Sequence, residues 1–414
     1  MLSHLMFHGW KIVGVSILTQ AVQAGLLVYS IGVLALSFET EFGGPRKDVM
    51  LAATCLSIAT SLISPLGGIA IDRFSAKRLM LGGVTALSLG FIVLGQARSL
   101  VQVWLVFGLV LPLGNLLLGQ LPTATLVTRW FRQRRGRAMG IAAVGTSLGG
   151  FVFPLLLSAL SKAVGWREAV TVVGIGALVV LAPLIAFVVV DRPEEMGATP
   201  DGLVAPGSPP DATDDAHSFA WILGSRAFWI ETLVIGLGLF VYLGVVSNLV
   251  PHAVARGLSV TEGAALVSTL TAFSIIGKMG LGSISDRIGV RRTMWISQGF
   301  MALGCAFFAS TESHAGLVAG SAAFGFAAGG LLPVWGTMVA RSFGRASFGR
   351  ALGAMNLAVL PITSLSGPFG GAVYDATGAY TLAFSICLGL LVIAAFALLA
   401  LRFAEAPVTA GSPA

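Results

Sequence analysis

Gly68-Ile69-Ala70-Ile71-Asp72-Arg73-Phe74-Ser75-Ala76-Lys77-Arg78 closes one long apolar run of the chain. Gly282-Ser283-Ile284-Ser285-Asp286-Arg287-Ile288-Gly289-Val290-Arg291-Arg292 closes another. Aligned on Asp72 and Asp286, the two segments lie 214 residues apart. A second pair shares the spacing. Arg129-Trp130-Phe131 through Gly136-Arg137-Ala138-Met139-Gly140 leads into one apolar run, and Phe348-Gly349-Arg350-Ala351-Leu352-Gly353 leads into another, 213 residues on. Two independent pairs at one offset mark a duplicated chain, with two halves of parallel topology.

The composition around these motifs places the chain in a membrane. Of 414 residues, 56% are hydrophobic and only 10% charged, and the mean hydropathy is +0.90. A soluble chain carries about 25% charged residues. The fold expected is all-α and polytopic, with twelve transmembrane helices in two pseudo-symmetric six-helix bundles. The runs lie at about 11–38, 48–70, 79–96, 101–127, 137–160, 168–190, 226–250, 261–284, 293–311, 314–340, 350–373 and 379–402, near the roughly 20 residues that cross a bilayer. Glycine, at 53 residues, suits helices that pack closely at small side chains. Cys55, Cys305 and Cys387 sit singly in apolar runs with no metal spacing, so they read as packing residues.

The net charge of +7 reflects topology rather than nucleic-acid binding. Loops after spans 2, 4, 8 and 10 hold Arg73, Lys77, Arg78, Arg129, Arg132, Arg134, Arg135, Arg137, Arg287, Arg291, Arg292, Arg341, Arg345 and Arg350. The opposite loops hold Arg46, Lys47, Arg98, Lys162, Arg167 and Arg256. The positive-inside rule puts the first set, and both termini, in the cytoplasm. No cleavable leader is evident, so the first helix reads as its own insertion signal. Residues 191–219 are rich in Pro, Gly and Asp and read as a flexible cytoplasmic tether. The domains expected are a bundle at 1–190, that linker, and a second bundle at 220–414.

The repeated motif has a physical task. Gly68 and Gly282 let a helix end approach a neighbour. Asp72 and Asp286 can accept from a helix N-terminus or a basic residue, and Arg73 and Arg287 hold the loop at an anionic leaflet. Such a network can latch two helices in one conformation. Plain topological anchoring would ask only for the basic charges.

The pattern resembles the major facilitator superfamily, whose members carry Gly-x-x-x-Asp-Arg-x-Gly-Arg-Arg after span 2 and a weaker copy after span 8. Here Ser75 and Ala76 replace the second Gly and the next Arg, and Val290 replaces that Arg in the second copy. Three stretches resemble the bacterial monocarboxylate-transporter-like and oxalate/formate-antiporter-like branch. They are Arg129-Trp130-Phe131 with Arg135-Gly136-Arg137-Ala138, Gly367-Pro368-Phe369-Gly370-Gly371-Ala372-Val373-Tyr374-Asp375, and Arg192-Pro193-Glu194-Glu195-Met196-Gly197. The resemblance implies two bundles around a central cavity that opens alternately to each side, lined by spans 1, 4, 7 and 10.

A charge at the bilayer centre costs roughly 2.5–3.5 kcal/mol on insertion scales, and two fall clearly within spans. Lys278 lies eight residues before Asp286, about 12 Å inside the membrane. Monocarboxylate transporters place an Arg there to bind substrate carboxylate, with an Asp four residues upstream. Here the cation is Lys278 and the upstream residue Ser274, so an unpaired cation points to an anionic solute, held without the bidentate fork of Arg. The Lys of the family's first span is missing, its counterpart being near Gly32. Glu231, early in span 7, is the candidate for proton coupling, with placement at the headgroup boundary as the alternative. Gln20, Gln23, Asn115, Gln120, Asn248 and Asn356 are candidate cavity residues, and Tyr29 and Trp335 could close over a small solute. Each could equally serve helix packing.

The function expected is a secondary transporter for a small organic anion such as a monocarboxylate, by proton symport or anion exchange, in the cell inner membrane. The alternatives are transport of a sugar, drug or neutral metabolite, or a non-transporting sensor. Span 5 lacks the Pro of the Gly-Pro-x-x-Gly-Gly pattern of proton-coupled drug exporters, since none lies between Gly145 and Gly150. No span holds an acid–base or Ser/His cluster and no phosphate-binding loop is present, so neither an enzyme nor an ATP-driven pump is expected. No cofactor, metal or nucleic acid is expected, and the chain reads as a monomer in the lipid bilayer.

Overall fold

A computed structural model of the chain describes residues 7–131, 135–199 and 218–401. Every regular element among them is helical. A chain in hydrocarbon must satisfy its backbone groups internally, and helices do so. α1 runs His8–Ala24, passes through a π-helical turn at Gly25–Tyr29 and continues as Ile31–Phe42. α2 is Arg46–Arg73 and α3 Ala76–Gly95. α4 comprises Leu100–Leu105, a π-helical turn Val106–Val110, Leu111–Leu118 and Gln120–Trp130. α5 is Arg135–Val164 and α6 Trp166–Val188. Most of the expected linker, 200–217, lies outside the described residues. α7 is Arg226–Ala255, α8 Val260–Ile288 and α9 Val290–Ser310.

Among the described residues, eleven stretches are long and apolar enough to cross a membrane. The expected ninth span is not among them, although it is helical as α9. Its first half carries Arg291, Arg292, Thr293, Ser297 and Gln298. Thr293, Ser297 and Gln298 are buried, and Ser297 donates to the Ala327 carbonyl at 2.8 Å. The polar face of α9 is turned on protein rather than lipid.

The tenth and eleventh spans were expected as separate helices, but helical backbone runs unbroken over His314–Thr363. Straight, such a helix would be about 75 Å long. Yet Leu331 packs on Gly238, while Val359 packs on Gly236. Two neighbouring levels of α7 therefore meet residues that a straight helix would hold about 42 Å apart, so the helical chain reverses between them. We call the two apolar stretches α10 (His314–Phe343) and α11 (Ala351–Thr377). α11 is interrupted at Ser364-Leu365, between Pro361 and Pro368. α12 is Thr381–Ala397.

The core falls into three apolar clusters among the described residues. One apolar cluster draws only on residues between Ile12 and Val189. Another draws only on residues between Ile222 and Leu401. A third joins Ala24, Tyr29 and Val33 of α1 to α7, α8, α9, α10 and α12. Glycines in α5 set the junction. A Cβ on Gly149 would lie 2.1 Å from the Ala21 carbonyl oxygen of α1, and one on Gly150 2.4 Å from Thr271 of α8. The glycines of span 5 are positions of close helix approach.

Candidate functional site

Where the halves meet, α1, α4, α5, α7, α8 and α10 enclose a cavity of about 380 Å³. Ligand sites usually fall between about 300 and 1,000 Å³. Of the expected site residues, Gln20, Gln23, Tyr29, Asn115, Gln120, Ser274 and Lys278 all line it. No Asp or Glu is among its lining residues.

Lys278 is placed by backbone packing. Gly329 of α10 lies so close to α8 that a Cβ would sit 2.1 Å from the Ser274 carbonyl oxygen and 2.9 Å from the Lys278 nitrogen. The side chain then crosses to α5. Its Nζ donates to the Ala143 carbonyl at 3.0 Å, Thr146 Oγ1 at 2.7 Å and Ser147 Oγ at 2.8 Å. Ser274 joins the same contact, its Oγ 2.7 Å from Ser147 Oγ. Three neutral acceptors thus use the three ammonium protons, and no described carboxylate offsets the charge. Hydrogen bonding of Lys278 is complete while its charge is not neutralised, which leaves it able to exchange a hydroxyl partner for an anion.

Another part of the lining is amide-rich. Gln23 Nε2 donates to Asn115 Oδ1, and Asn115 Nδ2 donates to Thr60 Oγ1 at 3.1 Å. Gln20 Nε2 donates to the Ala142 carbonyl at 3.1 Å, next to the Lys278 cradle. At the third wall Tyr29 of α1 and Tyr242 of α7 share a hydrogen bond of 2.5 Å between hydroxyls. Tyr242 was not anticipated, although it lies 213 residues after Tyr29, the offset of the repeat. Thr146, Ser147 and the break of α4 at Gly119 were also missed.

Four expected residues lie elsewhere. Asn248 donates to the Gly244 carbonyl at 2.9 Å and packs against Gly370, so it joins α7 to α11. Trp335 is buried in the core of the second half. Asn356 is exposed and does not line the cavity. Glu231 is fully buried but away from the cavity, accepting from Ser342.

Beyond the Tyr29–Tyr242 contact lies a small pocket of about 80 Å³, and Asn115 lines both spaces. Past it, the end of the molecule that bears Arg46 is sealed by α2 against α11. Thr54 donates to the Ser364 carbonyl at 2.7 Å, Gly367 faces Met50 and Ala53, and Gly371 touches the backbone of Arg46 and Lys47. Asp375 completes the seam by accepting from the backbone N–H of Arg46 and of Lys47, each at 3.1 Å. A carboxylate on α11 therefore caps the N-terminus of α2. The Arg46 guanidinium lies 3.8 Å from the Tyr374 ring centroid and pairs with Glu39 at 2.9 Å. Gly367, Gly370, Gly371, Tyr374 and Asp375 of this motif thus each have a geometric role.

Losing a cap costs about 0.5–2 kcal/mol, so Asp375→Ala is expected to shift the seam toward its open form about 2- to 30-fold. Labelling of a cysteine placed at Thr54 measures the shift; Asp375→Asn, which keeps one acceptor, is expected to fall between.

At the other end the side chains of Gly68, Asp72, Arg73, Gly282 and Asp286 lie outside the described residues, and Arg287 is exposed. The neighbouring contacts are described. Arg129 donates to the Ile71 carbonyl at 3.3 Å, Trp130 donates to the Val190 carbonyl at 2.9 Å, and Asp191 accepts from the Lys77 N–H at 3.1 Å. These tie the ends of α2, α3, α4 and α6 within the first half.

A family model described as Major Facilitator Superfamily matches residues 17–282 and again 248–414. The chain belongs to the Major Facilitator Superfamily. This superfamily member is 28% identical over 416 residues to a protein named monocarboxylate transporter 12 from Rattus norvegicus, covering 92% of this chain and 82% of that protein. It is 26% identical over 381 residues to monocarboxylate transporter 13 from Bos taurus, covering 91% and 85%. Among solved structures it resembles a bacterial homolog of the human lysosomal transporter Spinster, in an inward-facing and unoccupied conformation. That TM-score is 0.71 at 16% identity, covering 96% of this chain and 97% of that one. The protein is a multi-pass membrane transporter of a small-molecule solute, and its relatives are not enzymes.

Proposed function

We propose that this transporter carries a small organic anion, a monocarboxylate, and that Lys278 binds the carboxylate. The observation that carries the reading is a half-buried ammonium in the central cavity with three neutral partners and, among the described residues, no acid beside it. An isolated buried charge is costly, and a carboxylate entering the cavity neutralises it. The relatives named monocarboxylate transporters support the same class. The halves 1–190 and 220–414 act as two bodies linked by 191–219, exposing the cavity alternately to each side. The termini and basic loops face the cytoplasm, across the cell inner membrane, and the protein works as a monomer. Coupling is by proton symport or anion exchange; Glu231 is the proton candidate and would act at a distance from the cavity.

Uptake into proteoliposomes tests this with labelled three- to six-carbon acids against sugars and neutral amides. Saturable uptake of acids alone is expected. Saturable uptake of the neutral solutes with none of the acids would overturn the reading. A pH gradient and internal unlabelled acid, applied separately, distinguish symport from exchange.

A further inference from the structure

A second cavity, of about 600 Å³, lies at the end of the molecule that bears Arg46, where the ends of α1 and α5 and the start of α6 meet the start of α8. It shares no lining residue with the central cavity. α5 and α8 join beside it through the hydroxyls of Ser158 and Thr261, 3.2 Å apart. The same two helices meet at the Lys278 cradle through Ser147 and Ser274. The two contacts are separated by 11 residues on α5 and 13 on α8, about 16–20 Å of helix. The second cavity therefore stands over the same junction as Lys278, nearer the Arg46 end.

Two of its lining residues carry a buried polar atom without a partner among the described residues, Trp166 at Nε1 and Ser161 at Oγ. Trp166 is 9% exposed. Its ring is fixed edge-on to Phe38 and Phe42, with centroids 5.3 and 6.0 Å away, and the Arg167 guanidinium lies 4.4 Å from its centroid. An indole N–H can only donate, and a buried one usually finds an acceptor. Two charged side chains also line the cavity, Glu41 and Lys162. Glu41 is taken by Arg167 at 2.9 Å. Lys162 has no ion pair or hydrogen bond among the described residues. An indole N–H, a hydroxyl and an ammonium thus border one space in which the only carboxylate is already paired, a donor set suited to an anionic oxygen group.

We propose that this cavity is a waiting site for the solute's carboxylate, held by Lys162, Trp166 and Ser161 before it passes to Lys278. This rests on the reading that the solute is an organic anion. A lipid phosphate offers the same chemistry, but the cavity shares its α5–α8 junction with the Lys278 cradle, which places it on the solute's way in from the Arg46 end.

The test is protection of a cysteine at Thr40, which is exposed and lines the cavity, in a Cys55→Ser background. The full chain is held in phosphatidylcholine nanodiscs and labelled with a maleimide. Three- to six-carbon monocarboxylates are expected to slow labelling saturably, and their amides to leave it unchanged. In Lys162→Gln, and in Trp166→Phe, which keeps the ring and loses the N–H, the half-protecting concentration is expected to rise about 2- to 10-fold. In Lys278→Gln it is expected to stay as it was. Lys162 is exposed, so its variant reads the site even should Trp166→Phe fail to fold. No protection by any acid, or protection that ignores Lys162→Gln and vanishes in Lys278→Gln, overturns the waiting site. So does protection by added phosphatidylglycerol without acid, which would make the occupant a lipid. Absence of saturable acid uptake by the wild-type protein overturns the parent reading instead. The cavity then stands as an anion site only where acid still protects Thr40→Cys in a Lys162-dependent way.

Discussion

Lys278→Gln is expected to weaken carboxylate binding by about 30-fold to 3,000-fold. Truncating one partner of a buried, hydrogen-bonded charge pair costs about 2–5 kcal/mol, and each 1.4 kcal/mol is tenfold. Glutamine still reaches hydroxyl partners, so Thr146, Ser147 and Ser274 keep a polar neighbour and the α5–α8 contact persists. The loss therefore reports on the solute's charge rather than on folding. Lys278→Arg keeps the charge but brings a planar fork into a cradle shaped for an ammonium, and is expected to retain anion preference with altered affinity. Binding to purified protein by calorimetry checks both. Unchanged affinity in Lys278→Gln would mean that the cation is a structural tie between the halves and nothing more.

Gly371→Leu is the second large effect. A Cβ at this position would lie 2.7 Å from the Lys47 backbone nitrogen and 2.8 Å from the Arg46 carbonyl carbon. A leucine there cannot coexist with the closed seam, and overpacking costs about 1–3 kcal/mol. An equilibrium between open and closed seams would move up to about 150-fold. The fold itself should survive, because the collision is between α2 and α11 rather than within one core. Maleimide labelling of a cysteine at Thr54 is expected to rise sharply, and transport to fall. Labelling as slow as in the parent protein would show that the seam yields locally without opening.

The helical class, and Lys278 as a charge inside an apolar run that lines the cavity, were legible because few charges are available to a chain of this composition. Each one in an apolar run stands out. The twelve-run pattern also located α9, though its apolarity is marginal because its polar face is covered by α10. The seam was not legible. Asp375 and Arg46 are 329 residues apart, and nothing in either motif names its partner. The break in α4 had a local signal, Gly119 with Pro122 three residues on. Glycine and proline are tolerated in membrane helices, so the pair alone does not distinguish a break from a packing site. Tyr242 could have been found by applying the repeat offset to Tyr29.

α9 also bears on how the chain enters its membrane. A segment that buries Thr293, Ser297 and Gln298 against protein, with Ser297 partnered on α10, gains little from lipid by itself. The order of synthesis delivers α9 first, so it has to wait in the insertion machinery, or at the interface, until α10 emerges. A chain truncated at Ser310 is expected to leave α9 outside the bilayer, and extension to Phe343 to bring it in, as read by glycosylation or protease mapping. Full insertion of the shorter chain would show that α9 needs no companion. For this transporter, assembly of the second half then starts with a pair of helices rather than a single one.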